Sequence, residues 1–119
     1  FQHHQQLLAA NPAAARTATG TGTIRQLGAI PTGSYLYAAL HVLAVSGTTP
    51  SVTVRIESDD NAGMTTPTTR HTFTAATAIG AQWAAPVAGP ITDTYWRIGW
   101  TISGTTPSFR FATSLAIAL

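Results

Sequence analysis

Apolar and polar positions alternate along much of this chain with a period of two. Over 51–57, Val52, Val54 and Ile56 take one face while Thr53, Arg55 and Glu57 take the other. That spacing predicts a strand with one buried face. Residues 35–45 are nearly continuous in apolar side chains, which predicts a long strand covered on both sides. Over 17–24, Thr17, Thr19, Thr21 and Thr23 alternate with Ala18, Gly20 and Gly22. Such a strand would have a shallow face that lets another backbone come close. Further strands are expected at 70–75 around Phe73, at 82–85 around Trp83, and at 93–102 and 108–118. Turn clusters separate them: Pro31-Thr32-Gly33-Ser34, residues 58–63, Thr65-Thr66-Pro67-Thr68, and Gly89-Pro90. Six to seven short strands with no long helical period predict an all-β fold over 17–119, an antiparallel β-sandwich or jelly roll.

Residues 1–16 read differently. The run from Gln2 to Ala10 holds good helix formers and predicts about two helical turns before Asn11-Pro12 stops them. So short a helix is marginal alone and needs a neighbour, so this segment is read as an N-terminal arm. Phe1 is preceded by neither an initiator Met nor a Lys/Arg-led signal peptide, which reads as a processed or truncated start.

One internal repeat stands out. Ser46-Gly47-Thr48-Thr49-Pro50-Ser51 recurs as Ser103-Gly104-Thr105-Thr106-Pro107-Ser108. At the same offset, His41, Leu43 and Val45 align with Ile98, Trp100 and Ile102, and Val52, Val54 and Ile56 with Phe109, Phe111 and Thr113. Each copy reads as strand, loop, strand, that is, a β-hairpin. Two matched tips would present Gly47, Thr48, Thr49, Gly104, Thr105 and Thr106 to a partner. Turn chemistry alone also accounts for Gly and Pro at these places.

Composition narrows the function. The 119 residues are 45% apolar and only 8% charged, with no cysteine and no lysine. Thr and Ala supply 21 residues each. Disulfide scaffolds, Cys-ligated metal sites, and Schiff-base or P-loop lysine chemistry are excluded. The formal charge is +2, with six arginines spread along the chain. No concentrated basic face is present to neutralise phosphates, so no nucleic-acid partner is expected. No apolar run approaches the ~18 residues of a membrane-spanning helix, and no membrane partner is expected.

Candidate chemistry is sparse. Glu57, Asp59, Asp60 and Asn61 offer hard oxygens near Gly63 and form a weak calcium candidate without EF-hand spacing. Asp and Asn are also ordinary turn residues. Among the carboxylates, only Asp93 could face one of Glu57, Asp59 or Asp60 across a cleft, as acid–base catalysis requires. His3 and His4 lie in the arm, while His41 shares a face with Leu43 and Val45 and reads as a core or interface side chain. No Gly-x-Ser-x-Gly elbow exists. Neither an enzyme nor a cofactor is expected. Trp83, Trp96 and Trp100, with Tyr35 and Tyr37 added to the set, form a candidate stacking platform for sugar rings, the basis of an alternative reading as a carbohydrate-binding module. Against it, Trp96, Ile98, Trp100 and Ile102 make one unbroken inward face, which is core-like.

Three segments carry a resemblance: Leu36-Tyr37-Ala38-Ala39-Leu40-His41-Val42, Glu57-Ser58-Asp59-Asp60-Asn61-Ala62-Gly63, and Ile91-Thr92-Asp93-Thr94-Tyr95-Trp96-Arg97. With the Ser-Gly-Thr-Thr-Pro-Ser copies, they resemble small β-rich structural proteins of tailed-bacteriophage virions, over about 17–119. The resemblance implies a capsid decoration (cement) protein or a tail-associated β-domain located in the virion. It also implies partners among other copies of itself and the major capsid or tail proteins. It assigns no functional residues.

Overall fold

Two strands of unusual length organise the molecule. The computed structural model describes residues 6–119, with side chains described from Ala15 onward. Its strands are β1 (Gln6–Arg16), β2 (Gly20–Thr21), β3 (Arg25–Gln26), β4 (Tyr35–Asp59), β5 (Thr68–Thr72), β6 (Gly80–Trp83), β7 (Val87–Ala88) and β8 (Tyr95–Ala118). All pairings are antiparallel. The fold is all-β, as the period-two pattern predicts. The strand count differs: there are eight among the described residues, and β4 and β8 run 25 and 24 residues.

β4 and β8 pair from Tyr35↔Ala118 to Asp59↔Tyr95, forming a ribbon that the other strands flank. β1, β6 and β7 flank its first half, built from 35–46 and 109–118. β2, β3 and β5 flank its second half, built from 51–59 and 95–102. The ribbon folds back across its middle. Trp100 and Phe111 are eleven residues apart on β8, a span of about 36 Å if straight, yet their rings sit 5.5 Å apart, edge to face. The two halves are therefore leaves of a sandwich. One core joins Leu36, Leu40 and Val42 from the first leaf to Val54, Ile56 and Trp96 from the second.

The repeated hexapeptides lie at that fold, facing one another: Ser46 pairs with Ser108, Thr48 with Thr105, and Ser51 with Ser103. The expected hairpins do not form. Each copy continues a single long strand, so 35–45 and 51–57 join into β4, and 93–102 and 108–118 join into β8. Gly47 and Gly104 supply positive φ (110° and 119°), and Thr49 and Thr106 each adopt 47°. The two kinks thus share one backbone solution about an approximate two-fold axis.

The same relation extends to the flanking strands. β1 flanks β8, and β5 flanks β4 in the same way. β2 and β3 flank the other half of β8, as β6 and β7 flank the other half of β4. The order edge strand, two short strands, long strand therefore occurs twice. The equivalence slips at Leu43, where β4 bulges between Val42 and Ala44 against β8. Val54 faces Trp100 in one leaf, while Val42 rather than Leu43 faces Phe111 in the other. Trp100 and Ile98 thus correspond to Val42 and Leu40, and the alignment with Leu43 and His41 is out of phase. Leu43 is 49% exposed, and His41 is exposed too.

Three further expectations are corrected. No helix forms in the described part of 1–16: from Gln6 onward the backbone pairs with β8, because a ladder along an open sheet edge outweighs the weak preference of a short helix. Residues 2–5 lie outside the described residues. The long apolar run is not covered on both sides. Leu36, Ala38, Leu40 and Val42 point into the core, while Tyr35 and His41 remain exposed. Over 17–24 only β2 makes a regular ladder. Its surroundings are held by tryptophan indoles, since Trp100 Nε1 donates to the Ala18 carbonyl and Trp96 Nε1 to the Gly28 carbonyl, both at 3.0 Å. The shallow face does serve a close approach, though to a side chain: a Cβ on Gly20 would lie 3.4 Å from the Trp100 ring.

Candidate functional site

Two regions outside the kink gather polar or aromatic side chains. The first closes the far end of the second leaf. Arg55 and Glu57 share a face of β4 by their two-residue spacing, and Arg97 stands opposite Glu57 on β8. Arg55 Nε donates to Glu57 Oε2 and Arg97 Nε to Glu57 Oε1, each at 2.7 Å. Burial pushes the Glu57 carboxyl up, but the hydrogen bonds and charges of Arg97 and Arg55 together hold it below its ordinary value. Arg55 also reaches Thr101 Oγ1 at 3.3 Å, lying across the open space above Gly99.

Ser58 faces inward at the sandwich's open end. Its Oγ donates to Asp93 Oδ2 at 2.8 Å, and Arg70 donates to both Ser58 Oγ and Asp93 Oδ2 at 2.8 Å. Asp93 therefore meets Arg70 and Ser58 rather than another carboxylate across a cleft. Asp59 accepts the backbone N–H groups of Thr66 and Asp60. The Thr66 N–H is the largest influence holding its carboxyl low. Asp60 is raised, first by its side-chain hydrogen bond with Asp59 and then by that carboxylate's charge. Asn61 Oδ1 accepts the Gly63 N–H at 2.7 Å, an ordinary Asx turn.

These contacts answer the calcium expectation. Glu57 is spent on two arginines and Asp59 on backbone donors, so the four residues do not converge on an ion. Among the described residues, no three His, Asp or Glu side chains are grouped to hold a metal. The same contacts tie β4 to β5, β8 and the loop before β8, closing the core with paired charges. Ser58 is fully buried and hydrogen-bonded to a carboxylate and a guanidinium.

The second region is the outer face of the first leaf. Period-two alternation places Tyr35, Tyr37, Ala39 and His41 of β4 outward. Trp83 of β6 pairs with Ala39 and is 75% exposed. The His41 ring meets the Trp83 indole edge-on, with centroids 6.1 Å apart. A depression of about 460 Å³ lies between Tyr37 and Trp83 over small side chains of β4 and β8.

The predicted sugar platform is broken up. Trp96 and Trp100 are 1% and 3% exposed and form core, leaving Trp83 alone at the surface. The Thr-rich tips become the paired kink, with Thr48, Thr49, Thr105 and Thr106 exposed along the ribbon's middle. His71 packs edge-on against Phe73 at 4.7 Å, and burial lowers its imidazole. His3 and His4 lie outside the described residues. Of the lining residues, Tyr37 belongs to the aromatic set read from the sequence and Ser114 does not; the alternation of Ser114 with the inward Thr113 and Leu115 was the available signal. Compared with protein-family models, curated proteins and solved structures, the chain matches none.

Proposed function

We propose that this chain is a non-enzymatic structural protein of a tailed-bacteriophage virion, a capsid decoration protein or tail-associated β-domain that packs through subunit contacts. One surface observation carries the reading. Leu43 and Ile79, 49% and 70% exposed, flank the Val42–Gly80 pair on the first leaf. Leu43 continues the outward row of Tyr35, Tyr37 and His41, and the bulge that follows it sets Val45, rather than Ala44, opposite Phe109. Exposed apolar side chains brought together on a charge-poor surface favour a protein neighbour.

Other features support it. The charged side chains of the second leaf are largely consumed in internal pairs, which suits a rigid subunit. β1 adds a long strand at the sheet's edge, and such edges accept strands from neighbours. The motif resemblance to virion proteins supports a location in the particle. Mass spectrometry of purified particles of the encoding phage tests the reading. A copy number stoichiometric with a capsid or tail protein is expected, and absence from the particle overturns it. Leu43→Asp with Ile79→Asp should leave the chain folded but remove it from the particle.

A further inference from the structure

The depression on the first leaf has the character of a small-molecule site. Its volume of about 460 Å³ falls within the ~300–1,000 Å³ of typical ligand pockets. Ala39, Ala84 and Ala116 give it a low floor, Tyr37 and Trp83 form its walls, and Ser114 adds a hydroxyl. Among the described residues, no charged side chain lines it.

The Trp83 indole is held in place despite its exposure. Its strand pairs with β4 at four consecutive positions. His41 braces the ring from one side. The neighbouring Gln82 side chain closes two hydrogen bonds with the Thr74 backbone, at 2.9 and 2.8 Å. A wall positioned in advance loses little freedom when a ligand arrives.

We propose that this depression binds a neutral sugar ring, stacked on Trp83 and hydrogen-bonded by the hydroxyls of Ser114 and Tyr37. The apolar C–H face of a pyranose suits the electron-rich face of an indole. The Tyr37 hydroxyl donates to the Leu119 carbonyl at 3.4 Å, which leaves its oxygen able to accept from a sugar hydroxyl. A phosphate, carboxylate or ammonium group would meet no opposite charge among the described lining residues, and its desolvation would go uncompensated by them. The proposal uses Trp83, Tyr37 and Ser114, none of which carries the virion reading, so either can fail alone.

The test is an array of neutral and anionic glycans, followed by titration of the full chain with methyl glucoside, methyl galactoside or the array's best neutral glycan. Trp96 and Trp100 are buried, so emission quenched by acrylamide reports Trp83. A neutral glycan should protect that emission, and Trp83→Ala should weaken binding by at least about tenfold. Trp83→Phe should recover part of the affinity, and Ser114→Ala should weaken it without changing the unfolding transition. A silent array, binding of anionic glycans alone, or affinity indifferent to Trp83→Ala overturns the proposal. So does protection of Trp83 by self-association without sugar, which would make this face a contact between copies.

Discussion

Gly47 and Gly104 stand in the same relation to one another's strands. A Cβ on Gly47 would lie 2.6 Å from the Thr106 carbonyl oxygen, and one on Gly104 would lie 2.8 Å from that of Thr49. Both glycines have positive φ, so a side chain meets strain and a backbone clash together. Gly47→Ala and Gly104→Ala should each cost about 2–3 kcal/mol, by similar amounts. Urea unfolding monitored by circular dichroism measures both.

Thr113 is buried on the inward face of β8, and its hydroxyl lacks a partner among the described residues. An unpaired buried hydroxyl is costly. Thr113→Val keeps the shape and removes the polar atom, so it should stabilise the fold by about 1 kcal/mol. A lower urea midpoint would contradict this.

Glu57 holds two arginines. Glu57→Gln should destabilise by about 3 kcal/mol, because it leaves Arg55 and Arg97 together without their counter-charge. The native carboxyl sits below its ordinary value of 4.5. Its stabilisation is therefore complete above that value and lost as pH falls through the lower folded one. The acid limb of a stability–pH curve should be shallower in Glu57→Gln.

His71 acts in a higher window. Burial lowers its imidazole from 6.5, so the unfolded chain takes up the proton first. Its contribution is complete above about 6.5 and lost as pH falls from there through the folded value. Replacing it by Phe should flatten the stability profile just below pH 6.5, as read by thermal melts across pH.

The tryptophans separate by location. Trp100→Ala opens the core beside Phe111 and should cost about 3–5 kcal/mol. Trp83→Ala should change stability by no more than about 0.5 kcal/mol. Paired denaturation curves decide it.

Local alternation made much of this fold legible. Val52, Val54 and Ile56 point inward as their spacing requires, and Trp96 and Trp100 are core because their strand carries one unbroken apolar face. The ribbon's fold was hidden in Ser-Gly-Thr-Thr-Pro-Ser. Glycine with positive φ marks a tight turn and a kink in a continuing strand equally well, and only the partner copy across the ribbon distinguishes them. β1 was hidden for another reason: its residues favour a helix alone, and the edge of β8 that extends them is a hundred residues away. Glu57 and Asp59 read as free loop oxygens because their partners Arg97 and Thr66 come from elsewhere in the chain. The aromatic depression depends on β6 lying beside β4, a pairing that no short-range spacing encodes.

Electron cryomicroscopy of the purified phage particle tests the central claim most directly. Density for this folded ribbon, about 48 × 31 × 19 Å, is expected on the capsid or tail, with Leu43 and Ile79 against a neighbouring subunit. A particle map without that density, or with those two side chains open to solvent, would contradict it.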